Sequence, residues 1–426
     1  MGERNRNVAV ESSEVCYETL EQWARGKIQV QLQQLLEEEM TTFLSRGRHE
    51  RRGKVSPVDP PAGSRNGYGK PRHFSMMGGT VTVRRPRVRD LAERFESKIL
   101  PLFKRRTKEV GVMLPELYLH GLSTGDFELA LRGLLGEGAP LSATSIQRLK
   151  ARFELEYEAW KTRDLSALEV VYWWADGLYV KAGIEDRKSA LLTIVGALTN
   201  GDKVVLACES GERESKESWL KILRDLKARG LKFPRLTVAD GHLGIWAAFG
   251  EIHPTGEEQR CWNHKITNVL NDLPKKTQQK AAELLKAMPY AETKLECERL
   301  RDEFVLKYRK TDKKAMDTLL RDWDRMVTFY SFPLEHWRHL RTTNIVESPF
   351  SSVRLRTDAS RRYKRVEGAK AIIWKMLQVA EKSWRKLNAP ELLPLVVSGV
   401  KFKDGVMTRS GSLKSEVNHQ PERVAA

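Results

Sequence analysis

The sequence predicts an α/β domain on a mixed sheet, preceded by a mainly helical N-terminal region and broken by a helical block. Three observations predict it. Three apolar runs of strand length follow one another: VVYWWADGLYVKAG (170–183), SALLTIVGAL (189–198) and KVVLACES (203–210). An Asn200-Gly201 turn makes the second and third antiparallel neighbours. A helix-period segment, SWLKILRDLKARG, then ends at Gly230 and leads into the strand RLTVAD (235–240), so a meander feeds a crossover. After Pro274 the period is helical almost to His339, and LRTTNIVESPFSSVRLRT then returns the chain to the α/β domain.

In chain order, residues 1–110 read as a helix followed by a basic DNA-binding or dimerisation region. Ile28, Leu32, Leu35, Leu36 and Phe43 recur at helical spacing, which suits a packing or dimerisation face. The stretch from Arg46 to Arg89 is rich in Gly, Pro and Arg, with alternation around Val81 and Val83 that suits a short strand or hairpin. Its charge suits phosphate tracking, and its composition equally suits a solvated linker. Residues 111–165 carry a helix-turn-helix candidate. Ser123 opens an S-x-x-D start, a helix stops at Gly136, and Ser142 caps a second helix that presents Gln147, Arg148 and Lys150 to a major groove. Ordinary helical hairpins share this pattern.

Residues 166–272 form the first part of the α/β core, with a helix beginning near His242 and a short strand in QRCWNH. Residues 273–338 are the helical block, 339–400 the second part of the core with a long basic helix, and 401–426 a polar tail.

Composition narrows the partner. The chain of 426 residues carries 74 Lys plus Arg against 56 Asp plus Glu, a net charge of +18, which points to a polyanion and first to nucleic acid. There is no apolar run of transmembrane length and no apolar stretch in MGERNRNVAVESSEV, so the expected location is cytoplasmic, at the nucleoid. Cys16, Cys208, Cys261 and Cys297 lack CxxC spacing, which argues against a disulfide framework or a closed zinc knuckle.

The tripeptide Ala-Asp-Gly occurs twice behind an apolar run, at Asp176 and at Asp240. Asp-Gly is first a hairpin-turn signal. A right-handed crossover that sets the fourth strand beside the first, however, makes the two acids neighbours, because adjacent strands lie about 4.8 Å apart. Their carboxylates then suit a shared metal, and a pair of ions needs a third acid. Glu347 is the candidate. Its local alternative is a capping box, since Asn344 to Glu347 has N-cap to N3 spacing, and Pro349 suggests a helix that begins only at Ser348. Oxygen-only ligands fit Mg²⁺ or Mn²⁺.

The ordered set WWADGLYVKAG with Asp176, VADGHLGIWAAF with Asp240, QRCWNHKITNVL with Cys261 and His264, and LRTTNIVES with Glu347 resembles the Mutator-type transposases of bacterial insertion sequences, which are DDE recombinases. The resemblance extends to LLEEEMTTFL and RNGYGKPR. It implies a ribonuclease-H-like mixed sheet with an all-helical insertion before the third acid. It implies Asp176, Asp240 and Glu347 as a metal-binding catalytic triad for two Mg²⁺ or Mn²⁺ ions, nicking and strand transfer at terminal inverted repeats and target DNA, and no covalent enzyme-DNA intermediate. Cys261 and His264, half a zinc site at best, read as packing or DNA positioning beside the site. His242 reads as a cap or lining residue.

Arg341, Thr342, Thr343 and Asn344 precede the acid or flank it, and Arg354, Arg356, Arg361, Arg362, Lys364 and Arg365 follow it, a density suited to DNA phosphates. Trp323, Phe329, Tyr330, Phe332 and Trp337 read as core, with base stacking the minority role. Pairing two DNA ends calls for a homodimer or larger assembly on double-stranded DNA. The competing readings are a non-catalytic DNA-binding regulator descended from a transposase, and a nuclease without strand transfer.

Overall fold

The computed structural model describes residues 16–50, 63–91, 94–122, 126–136, 138–139, 143–181, 188–211, 213–309, 312–360, 363 and 365–408. The chain forms two compact units, 1–151 and 152–426. In the first, α1 (Leu20–Leu44) buries Leu36, Met40 and Leu44, spaced four apart on one face. Ile28, Leu35 and Phe43 are exposed instead, a correction to the face read from the sequence. Leu36 joins Val81, Val83 and Leu100 in a small core. The strands β1 (Ser64–Tyr68), β2 (Arg72–Met76), β3 (Gly79–Val83) and β4 (Pro86–Arg89) pair as β1 with β4 and β2 with β3, both antiparallel. Within the described residues, much of the basic stretch is therefore paired strand and not open linker. Helices α2 (Lys108–Leu119) and α3 (Asp126–Leu135) follow, and α4 (Ala143–Lys161) begins in this unit and ends in the second. Ser123 and Ser142 lie outside the described residues.

The second unit centres on five strands: β5 (Val170–Lys181), β6 (Lys188–Leu198), β7 (Lys203–Gly211), β8 (Leu236–Ala239) and β9 (Glu257–Arg260), with α5 (Lys216–Ala228) before β8 and α6 (Leu243–Ile252) after it. Their order is β7-β6-β5-β8-β9. The first three are antiparallel, whereas β8 lies parallel to β5 and β9 parallel to β8, so the sheet is mixed and the crossover falls as the sequence predicts. Between β9 and α7 the chain departs from expectation: only Gln259 and Arg260 of QRCWNH are strand, and Cys261 is the N-cap of α7 (Trp262–Asn271).

Val171 to Ala175 are almost wholly inaccessible, which explains why β5 reads as a continuous apolar run: both faces of the sheet are covered. Trp173 and Ala175 face a core completed by Trp219, Leu223, Trp246 and Phe249 of α5 and α6. Alternation turns Tyr172 and Trp174 to the other face. There Tyr172 meets Phe332 and His336, and Trp174 Nε1 donates to the His339 carbonyl at 2.8 Å.

Helices α8 (Lys275–Ala287), α9 (Lys294–Tyr308), α10 (Lys313–Leu320), α11 (Trp323–Met326) and α12 (Trp337–Leu340) follow, with no strand between β9 and α12 among the described residues. Trp323, Phe329, Tyr330, Phe332 and Trp337 are all buried, which makes them core and not stacking platforms. Next come α13 (Asn344–Ser360), which packs on β5 and β6, and α14 (Val366–Glu381), which packs on β7. The long basic helix expected here is corrected: α14 buries Ala369 to Trp374, and Lys370 pairs with Glu209 at 3.4 Å. The polar tail begins later than expected, because Phe402–Lys403 and Val406–Met407 form a hairpin. No helix among the described residues is long and apolar enough to cross a membrane.

His336 ties the helical block to the sheet. Its Nε2 faces the Ala389 carbonyl at 3.1 Å, so that nitrogen carries the proton, and Nδ1 accepts from the Tyr172 hydroxyl at 2.8 Å. Burial holds its pKa below the usual value, as burial does for His339, pushed down to about 4. Below the unfolded pKa of about 6.5 the unfolded chain binds more protons than the fold, so stability falls as pH drops. Urea unfolding at pH 5 and 7.5 is expected to show this loss, and His336→Gln to reduce the difference between the two pH values.

Candidate active site

The register of β5 against β8 fixes two acids. Ala175 pairs with Ala239, and Asp176 and Asp240 are the next residues of two parallel strands, so their side chains leave the sheet on the same face. The Asp-Gly of the first copy is no turn, since β5 continues through Asp176 and Gly177 to Lys181. In the second copy the strand ends at Ala239, and Gly241 takes φ +97°, a conformation that a side chain resists. Each aspartate is held by local amides: Gly177 N–H donates to Asp176 Oδ1 at 2.9 Å, and His242 N–H to Asp240 Oδ1 at 2.9 Å. His242 also caps α6, accepting from Gly244 N–H.

Glu347 reaches the same face from α13. The helix starts at Asn344, not Ser348, and Pro349 lies inside it. Thr343, not Asn344, closes the first turn: its carbonyl accepts from the Val346 and Glu347 amides, and its hydroxyl donates to Glu347 Oε1. The capping box read from Asn344 to Glu347 therefore does not form. His264 Nδ1 lies 3.8 Å from Glu347 Oε1, and Cys261 Sγ accepts from the Thr343 amide at 3.4 Å. Ligand atoms of Cys261, His264 and Glu347 lie within 4.8 Å of one another.

The fields of these groups overlap. Burial pushes the Asp176 carboxyl up to about 7; the Gly177 amide opposes that, and the charges of Glu347 and Asp240 add to it. A hydrogen bond with Cys261 raises His264 to about 9 against burial, with the charges of Glu347 and Asp176 contributing. The structure thus brings Asp176, Asp240, Glu347, Cys261 and His264 into one neighbourhood, with His242 at its edge.

The sequence reading missed Glu214. It precedes α5 in GERESKES, a run without periodicity, yet it is only 7% exposed, shares a hydrogen bond with Tyr179, and is raised by burial and then by Asp240. Gly177 makes room for it, because a Cβ there would lie 2.4 Å from Glu214 Oε1.

The expected DNA-contacting residues divide. Asn344, Arg354, Arg365, Gln147 and Arg148 are exposed, Thr342 and Lys150 partly so. Arg365 pairs with Glu154 at 3.2 Å, and the Lys150 ammonium lies over the Tyr118 ring. Thr343 and Arg356 are corrected: both are buried, and a strand cannot touch them. Arg341 is corrected too, since its guanidinium stacks on Tyr290, Phe329 and Trp337. Arg361, Arg362 and Lys364 lie outside the described residues.

Gly177→Ala is expected to destabilise the protein by about 1–3 kcal/mol through overpacking. Combined with Glu214→Ala it should cost less than the sum of the two, with a coupling of about 0.5–3 kcal/mol in urea unfolding.

The family model described as Transposase, Mutator family matches residues 3–386. The transposase for insertion sequence element IS6120 from Mycolicibacterium smegmatis is 42% identical over 297 residues, 69% of this chain and 91% of that protein. The transposase for insertion sequence element IST2 from Acidithiobacillus ferrooxidans is 42% identical over 279 residues, 65% of this chain and 94% of that protein. Among solved structures, the catalytic core domain of HTLV-2 integrase in complex with magnesium aligns with 28% of this chain and 85% of that core at 18% identity, with a TM-score of 0.17, too low to bear on the fold.

Proposed function

The chain belongs to the Mutator family of transposases, and on that premise we propose that it binds the terminal inverted repeats of an insertion sequence and catalyses metal-dependent DNA cleavage and strand transfer. One observation carries the reading: Asp176 on β5 feels the charges of both Asp240, just after the neighbouring parallel strand β8, and Glu347 on α13, so carboxylates from three separate elements lie within electrostatic reach of one another. The antiparallel meander with parallel strands added at its inner edge supports a ribonuclease-H-like core.

Three carboxylates suit hard divalent cations such as Mg²⁺ or Mn²⁺; in the mixed group of Cys261, His264 and Glu347, whose ligand atoms lie within 4.8 Å of one another, the Cys261 sulfur is already an acceptor for Thr343. Asp176, Asp240 and Glu347 would hold the ions. When bound, a pair of such ions supplies Lewis-acid stabilisation to both the attacking and the leaving oxygen of an in-line phosphoryl displacement. The chain's own groups prepare that arrangement. The amides of Gly177 and His242 each fix one aspartate rotamer, and the Thr343 hydroxyl and His264 fix Glu347. Rigid placement by neighbours is what lets carboxylates act without reorganisation. Cys261 serves as a positioning residue for Thr343 and His264.

Exposed Arg354 and Asn344 on α13, with Arg148 and Gln147 on α4, supply positive and polar surface for duplex DNA. End pairing calls for a homodimer or larger assembly. A regulator without catalysis has less support, because the three carboxylates are all present and held.

Asp176→Asn, Asp240→Asn and Glu347→Gln are each expected to reduce nicking of an end-bearing duplex by at least about 10²–10³-fold. Gel-shift affinity for the same duplex in EDTA should be retained. Wild-type nicking by any one variant would remove that residue from the triad.

A further inference from the structure

On the face of α13 turned away from Glu347, a cleft of about 290 Å³ is lined by Lys203, Arg338, His339, Asn344, Ile345, Ser348 and Arg385 among others. Three cationic side chains stand in it and its lining holds no carboxylate. Arg338 and Arg385 are exposed, and no ion pair is found for either among the described residues. Lys203 donates to the Arg385 carbonyl at 2.6 Å, which holds its ammonium at the wall. We propose that this cleft seats a phosphodiester of the bound DNA next to the acidic site, with Lys203, Arg338 and Arg385 as its ligands.

Charge supports the assignment. Three cations lining one concave site with no carboxylate among them create a positive potential that attracts an anion. The neighbours share this field: Lys203 is lowered by burial and then by the Arg338 charge, and His339 by burial and then, against its bond to Asn388, by Lys203 and Arg338. Position supports it too. Ile345 and Ser348 flank Glu347 on the same helical turn, a rise of only about 1.5 Å per residue, so the cleft and the acid sit on two sides of one rigid element. Asn344, held by Asn263 at 3.1 Å, adds a polar edge. The early turns of a helix also favour an anion. The sequence reading placed phosphate contacts along α13 itself; the cleft instead recruits β7, α12 and the residues after α14.

This inference rests on the proposed action on DNA, and its test is independent of the three acids. Binding of a mixed-sequence duplex is measured in EDTA over a range of salt. The comparison is between wild type, Arg338→Gln/Arg385→Gln, and a control of equal charge change on α8, Lys275→Gln/Lys280→Gln. All four residues are exposed, so the fold should tolerate the changes, and circular dichroism checks it. The expected result is that the cleft variant alone flattens the slope of log K against log salt by about 0.9 for each phosphate it no longer neutralises, one or two in all, and weakens binding about tenfold. The proposal is overturned if both variants shift the slope equally or if neither does. Retained nicking by a triad variant would defeat the catalytic reading and leave this result unaffected.

Discussion

Ala175 pairs with Ala239 across two parallel strands, and the proposed chemistry of the molecule depends on that register. Because the side-chain period of a strand is two, a slip by one residue would send Asp176 into the core with Trp173 and Ala175. Burial on both faces of β5 makes such a slip prohibitive: Tyr172 and Trp174 are committed to one side, Trp173 to the other. The apolar packing of the sheet is thus what sets two carboxylates side by side, a placement that like charges alone would oppose.

The third acid arrives from far along the chain. The helical block between β9 and α12 separates it from the strands, and aromatic packing of Phe329, Tyr330 and Trp337 around Arg341 closes the end of that block just before α13 begins. Thr343 then does three things at once. Its carbonyl starts the helix, and its hydroxyl engages Glu347 while its amide reaches Cys261. The Cys-x-x-His spacing acquires a physical meaning here, since Cys261 is the N-cap of α7 and His264 follows in the first turn, toward Glu347.

Much of the α/β architecture was legible because it is written in local period and turn chemistry. The apolar runs, the Asn200-Gly201 turn and the stop at Gly230 each act within a few residues. The crossover followed from handedness. What escaped the sequence depends on distant packing. Glu214 lies in a featureless polar run and is recruited only because Gly177 lacks a side chain. Arg356 and Arg341 look like surface cations in a basic stretch, yet Arg356 is buried and Arg341 is partly covered, its guanidinium stacked on rings far away in sequence. Pro349 suggested a late helix start, yet the Thr343 carbonyl had already begun the helix before it. The Arg338 and Arg385 cleft joins three separate segments, and no single one of them announces it.

The convergence of the three carboxylates is tested most directly by crystals grown with Mn²⁺ and examined by anomalous diffraction. Anomalous peaks coordinated jointly by oxygens of Asp176, Asp240 and Glu347 are expected, at about 2.0–2.2 Å as for a hard, octahedral cation. Peaks held by other residues, with these three carboxylates sharing no ion, would contradict it.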